Sequence, residues 1–272
     1  MKTTSPKVLS LRSCALAVAG LLLSMTSTTV WAADGLDDIL SRVSARVADS
    51  LERFSETRCT EKVNQQKLSS DGKVERDINS TYDYLVIFTN AGGELSLDES
   101  RKPVGEGKPD KNSTPLLVTN GFATLFLIFH PYYAGSFQFT ALGVETAGDR
   151  QLKKIGFHYV RGTRSPAALA LRGREYPLPL SGMAWIEPDT GAITRIVADL
   201  GNTMEDVGVK SLRTDVTYAP VPFRDLKESY WFPSRASVEV ETPRQHWRNI
   251  HVFNDYQRFS VSTEEKVAAN ER

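Results

Sequence analysis

Four arginines, Arg161, Arg164, Arg172 and Arg174, fall within a 14-residue stretch that holds no acid. Guanidinium groups grip phosphate and carboxylate in bidentate geometry, so this density could form a basic lip for an anionic lipid headgroup or an acidic partner. The plainer reading is a pair of solvated loops. Arg244 and Arg248 could join such a lip. The four histidines, His130, His158, His246 and His251, promise less. None forms an HExxH or a CxxC-type partner pair, and there is no GxSxG elbow, phosphate loop or GxGxxG. On one strand, a five-residue spacing would put His246 and His251 on opposite faces. Asp215, Glu239 and Glu241 read as solvated charges on a sheet face, and nothing local marks Ser165 as a nucleophile. These residues suit binding rather than catalysis, and no enzyme activity, cofactor or metal is expected.

Apolar surface is the stronger binding signal. Residues 121–133 read GFATLFLIFHPYY. Phe122, Leu125, Phe126, Phe129, Tyr132 and Tyr133 crowd this stretch, and Trp185 and Trp231 lie further along. Most such aromatics build a core, but some could line an acyl-chain pocket, where binding follows apolar area at roughly 0.8 kcal/mol per buried CH₂. The apolar run from Leu116 to Phe129 is interrupted by Thr119, Asn120 and Gly121, and Pro131 ends it. That is shorter than the roughly 20 residues a membrane-spanning helix needs. The pattern leaves no polar helical face, which predicts a short buried helix starting near Asn120. It is either permanent core or core that a ligand displaces, with Gly121 and Pro131 as flanking hinges.

The compartment follows from the N-terminus. Lys2, Lys7 and Arg12 precede an apolar run from Ala15 to Leu23, and Val30-Trp31-Ala32 supplies a cleavage site. Residues 1–32 read as a secretory signal peptide, with cleavage before Ala33. Cys14 lies before the apolar run and is not a lipid-bearing cysteine. Without residues 1–32 the chain carries 30 Lys+Arg against 33 Asp+Glu, a net charge of −3. Such a balance argues against nucleic acid and strongly anionic membranes. Only Cys59 remains, so no internal disulfide can form. The expectation is an exported protein, periplasmic or secreted, that does not span a membrane.

Other elements must position these groups. Leu36, Ile39, Leu40, Val43, Val47, Leu51 and Phe54 recur at helical spacing, with Asp34 as N-cap. The rest reads as strands. Hairpins turn at Ser70-Asp71-Gly72, Ala147-Gly148-Asp149 and Pro188-Asp189-Thr190-Gly191, and Thr81–Phe88 and Glu94–Asp98 are shorter strands. Leu212, Thr214, Val216 and Tyr218 alternate with Arg213, Asp215 and Thr217, as in a sheet with one wet face. Residues 101–115 hold three Pro and two Gly and read as a mobile loop; 263–272 read as a polar tail. The fold expected is mainly β with α: a single domain over residues 33–262 built on one long antiparallel sheet that tends to curl, with its dry face covered by the N-terminal helix and the short apolar helix.

This order of elements resembles the LolA/LolB-like periplasmic lipoprotein carriers and the outer-membrane lipoprotein-sorting proteins. The patches that carry the resemblance are Leu142-Gly143-Val144-Glu145 with Gly148, the hairpin Ala184–Ile196, Tyr230-Trp231-Phe232-Pro233-Ser234, and Asn254–Phe259. Together they run in order over residues 36–261. The stretch RGTRSPAALALRGREYPLP is an insertion relative to small carriers, and no residue matches the arginine with which carriers gate their cavity. The resemblance implies an incomplete β-barrel, a strongly curved sheet closed by helices around an apolar cavity for the acyl part of a lipid or lipoprotein. The alternative is a module of the same fold that binds an envelope protein partner and keeps the apolar helix as permanent core.

Overall fold

The computed structural model describes residues 33–105, 119–171, 174–201, 204–224 and 226–259. The signal-peptide reading, the polar tail, Arg172 and most of the expected loop lie outside the described residues.

The helix forms where its spacing predicts. α1 runs Ala33–Ser55 and buries Ile39, Val43, Val47, Leu51 and Phe54 along one stripe. Asp34, read as its N-cap, lies one residue inside the range Ala33–Ser55. At its end the Thr57 hydroxyl donates to the Arg53 carbonyl at 2.7 Å, satisfying one of the orphan acceptors of the last turn.

Strands follow: β1 Thr57–Leu68, β2 Val74–Ala91, β3 Glu94–Pro103, β4 Phe137–Ala147, β5 Arg150–Tyr159, β6 Ala168–Leu171, β7 Arg174–Pro177, β8 Leu180–Ile186, β9 Ile193–Leu200, β10 Ser211–Val221, β11 Tyr230–Glu241 and β12 His246–Arg258. Ten of them form one antiparallel sheet in the order β3-β2-β1-β12-β11-β10-β9-β8-β5-β4, open at β3 and β4 rather than closed into a barrel. The insertion between β5 and β8 makes its own hairpin, β6 with β7. Two expectations are corrected. Arg101, Lys102 and Pro103 are not loop but the end of β3, because the 18-residue β2 offers them ladder partners at Tyr84, Asp83 and Tyr82. The strand read at Thr81–Phe88 is the centre of the longer β2.

The two faces of the sheet differ. One carries the main apolar core, including Ile155, Ala184, Ile186, Ile196, Leu212, Val216, Phe232 and Val238, under α1. On β10, Leu212, Thr214, Val216 and Tyr218 are buried and their neighbours are not, as the alternation predicts. The other face is wet, and its register lines polar residues up across nine strands: Gln138, His158, Ser181, Asp199, Arg213, Glu239, Arg248, Gln66 and Asp77. Rungs of this row are bonded directly, as in Arg213–Asp199 at 3.0 Å and Arg248–Gln66 at 2.8 Å.

The Pro188–Gly191 turn docks on α1. Gly191 has φ +70° and approaches the helix so closely that a Cβ there would lie 2.9 Å from the Arg42 carbonyl oxygen. The Arg42 guanidinium in turn donates to the Pro188 carbonyl. A glycine is therefore required at 191 on two counts, conformation and space.

Candidate functional site

Between β3 and β4 the chain enters the space between α1 and the sheet. Phe122, Ala123, Leu125, Phe126, Leu127, Ile128 and Phe129 are all buried. The regular part is shorter than expected: a single 3₁₀ turn, Leu125–Phe129, preceded by Thr124 rather than Asn120, with no side-chain cap. Gly121 at φ +80° turns the chain ahead of it, and a Cβ there would meet the Pro166 carbonyl oxygen at 2.9 Å. With so little backbone hydrogen bonding, side-chain packing holds the segment. Phe126 meets Phe54 of α1 at 6.3 Å and Tyr218 of β10 at 5.9 Å, both edge-on. Phe129 meets Phe139 at 5.1 Å and Phe157 at 6.3 Å. A short helix, α2 Pro131–Ala134, ends the insert; His130 caps it by accepting from the Tyr132 N–H at 3.1 Å.

The root of this plug, Thr119-Asn120-Gly121, is held by a buried polar cluster. Glu61 on β1 has a fully buried side chain. Arg101 on β3 reaches it with Nε at 2.6 Å and Nη2 at 3.1 Å. His251 on β12 places Nδ1 at 2.8 Å from the same carboxylate and Nε2 at 2.9 Å from the Thr119 hydroxyl. Asn249 Nδ2 donates to Thr119 Oγ1 at 3.2 Å. One proton arrangement satisfies this chain: Nδ1–H donates to Glu61, and the Thr119 hydroxyl donates to Nε2 while accepting from Asn249. Arg101 Nη1 also donates to Asn120 Oδ1 at 2.8 Å, and Glu99 accepts from the Gly121 N–H at 2.8 Å. All three root residues are thus tied to the strands by side chains.

The electrostatics fit that role. Burial pushes the Glu61 carboxyl up, but the hydrogen bonds from His251 and Arg101 outweigh it and hold its pKa below the ordinary value. For Arg101, burial favours the neutral form, but Glu99 and Glu61 more than compensate and keep it charged. The guanidinium also lies 5.1 Å from the Tyr84 ring centroid. Burial raises the Cys59 thiol to about 12, which keeps it protonated and a poor nucleophile.

The predicted site residues divide. Phe122, Leu125, Phe126, Phe129 and Tyr133 belong to one core, with Tyr132 and Trp231 packed against it. Trp185 does not join them. It alternates with Ala184 and Ile186, so it lies on the opposite face with Leu152, Val197 and Met183, flanked by Lys154 at 5.1 Å and Arg195 at 5.0 Å. The arginines do not form one lip either. Arg164 pairs with Glu94 at 2.8 Å and stacks over Tyr132 at 4.6 Å, while Arg161 lines a separate cleft. Arg174 opens β7 opposite Leu171. His246 and His251 do fall on opposite faces: His246 bonds Glu239 at 2.7 Å on the wet face, and His251 is buried. No group of three or more His, Cys, Asp or Glu suited to a metal occurs among the described residues.

Glu61, Glu99, Arg101, Thr119 and Asn249 were missed from the sequence. A signal existed: Thr57, Cys59, Glu61 and Val63 alternate inward along β1, which puts a carboxylate in a buried register.

No family model matches the chain, and no curated protein matches it either. Among solved structures, the chain is similar to a DUF1329 family protein from Desulfovibrio piger at 10% identity and TM-score 0.40, covering 84% of this chain and 95% of that one. It is similar to a domain assigned to outer membrane lipoprotein sorting in Vibrio parahaemolyticus at 10% identity and TM-score 0.35, covering 83% and 95%. It is also similar to the Mycobacterium tuberculosis lipoprotein LppX at 11% identity and TM-score 0.23, covering 84% and 99%. At these scores the likeness supports no statement about a site.

Proposed function

We propose that this is a non-catalytic exported protein, periplasmic once residues 1–32 are cleaved, that takes the acyl part of a lipid or lipoprotein into the space filled by residues 122–129. The observation that carries the reading is the build of the plug. It is an apolar insert between α1 and the sheet, with one 3₁₀ turn of its own and polar ties concentrated at its root. The exchange is energetically near balance. Six large apolar side chains contribute roughly 9–18 kcal/mol of burial, and an acyl chain of about 16 carbons roughly 12 kcal/mol. A modest preference of the open state for ligand would then shift the population. Phe122, Leu125, Phe126, Phe129, Tyr132, Tyr133 and Trp231 are the cavity candidates on this face.

One observation favours a second reading, a partner-binding module with the plug as permanent core. The gap bounded by Phe126, Val47, Tyr218 and Trp231 is only about 20 Å³. Native mass spectrometry with lipid extraction separates the two. The acyl reading expects lipid bound near one-to-one to residues 33–272 purified from the periplasm, and its loss in Phe126→Asp with the β-sheet circular dichroism intact. A protein that stays empty after incubation with lipids and lipopeptides overturns it and leaves the partner reading.

A further inference from the structure

On the wet face, at the β4 end of the polar row, lies a cleft of about 940 Å³. Its volume is at the upper end of what small-molecule sites enclose. Gln138 and His158, register partners on β4 and β5, contribute polar groups to it. Ser181 Oγ lies 2.7 Å from His158 Nδ1, which fixes the ring and leaves Nε2 as its remaining hydrogen-bonding atom. Pro177, Pro179 and Met204 give apolar wall. Two charges of opposite sign, Arg161 and Asp206, also line the cleft.

Arg161 and Asp206 make no ion pair among the described residues, with each other or with any other group. Both stand on turns with internal bonding. Thr163 ties the Arg161 turn through its hydroxyl to the Val160 carbonyl at 2.6 Å. The 3₁₀ turn Glu205–Val207 that carries Asp206 is closed by the Met204–Val209 bridge. A cation and an anion held apart in one recess, with an oriented imidazole beside them, are complementary to a ligand with the reverse pair of charges.

We infer that this cleft is a binding site for a zwitterion, a phosphate or carboxylate that carries an ammonium group, with Arg161 and His158 taking the anion and Asp206 the ammonium. The chemistry is that of a phosphoethanolamine-type lipid headgroup or of a free small zwitterion. Gln138 and His158 open onto the face opposite the plug and no residue of 122–129 lines the cleft, so the site stands or falls independently of the acyl-binding reading.

Calorimetric titration of residues 33–272 tests it with three water-soluble probes: glycerophosphoethanolamine, glycerol 3-phosphate and ethanolamine. The zwitterion should bind about tenfold or more tighter than either half, since each charge contributes a charge-assisted hydrogen bond. Arg161→Ala should weaken glycerophosphoethanolamine and glycerol 3-phosphate, and Asp206→Asn should weaken glycerophosphoethanolamine and ethanolamine; both residues are exposed, so both variants should fold. Sedimentation with phosphatidylethanolamine vesicles separates the sources. Co-sedimentation that is lost in both variants assigns the lipid headgroup, and soluble-probe binding without co-sedimentation assigns the free zwitterion. No saturable binding of glycerophosphoethanolamine overturns the inference. So does glycerol 3-phosphate binding as tightly, or an Asp206→Asn variant that binds like the parent.

Discussion

Glu61 and Asp215 each meet an arginine from another strand, Arg101 across the intervening β2 and Arg195 on the adjacent β9, yet they are different objects. The Glu61 side chain has no exposure, its Arg101 partner keeps 20%, and His251 closes the remaining side. Asp215 and Arg195 are 37% and 44% exposed on the wet face. Water competes for the second pair and is excluded from the first. The outer row of charges therefore keeps a sheet face soluble at little energetic consequence. The inner cluster is a commitment: once its carboxylate is desolvated, each partner becomes necessary. That the committed cluster grips Thr119, Asn120 and Gly121 gives it a purpose, because those three residues lead into a run of buried core residues, 122–129, supplied by a loop rather than by α1 or a strand.

The largest break of this comparison is Glu61→Ala. It leaves Arg101 and His251 without their carboxylate and should cost about 3–5 kcal/mol in urea unfolding. The outer counterpart, Asp215→Ala, should cost no more than about 1 kcal/mol. Equal costs would show that burial does not separate the two pairs. Thr119→Val comes next. It removes the hydroxyl that His251 and Asn249 share, at about 1–3 kcal/mol. Hydrogen exchange should then rise across residues 119–129 before it rises in β10–β12; uniform exchange would mean the root is not a local tie.

The pH dependence sharpens the same contrast. A carboxyl whose folded pKa is depressed contributes stability that is fully present above its unfolded value, about 4.3 for Glu, and is lost as pH falls through the folded value. The advantage of the parent over Glu61→Gln should thus be constant above about pH 5 and shrink only below about pH 4. A stability difference that shrinks instead on the alkaline side would contradict the depressed carboxyl. Smallest of all, Asp215→Asn should shift stability by about 0.5 kcal/mol or less at any pH.

Period reading recovered what neighbouring residues determine. The α1 stripe, the three tight turns, the β10 alternation and the burial of residues 122–129 all follow from local spacing. Trp185 was within reach of the same reasoning. It sits between Ala184 and Ile186, both core, so a strand must turn it outward. The ionic cluster was harder. Arg101 lies 40 residues from Glu61 and His251 lies 190 away. Their meeting depends on β1 pairing with both β2 and β12, and on β3 continuing through Arg101 into a Pro-rich stretch that locally reads as loop. Periodicity marks Glu61 as inward but cannot name what meets it there. The length of the 3₁₀ turn was also hidden, since Gly121 and the packing of Pro166 against it set where regular structure can begin.

On the acyl-binding proposal, residues 122–129 leave the sheet as a unit while the root at 119–121 stays tied. Hydrogen–deuterium exchange on residues 33–272, with and without a saturating palmitoyl lysolipid, tests it most directly. The account predicts faster exchange across 122–134 on lipid addition while β8–β12 stay protected. Equal protection of plug and strands, unchanged by lipid, would contradict it and make the segment permanent core.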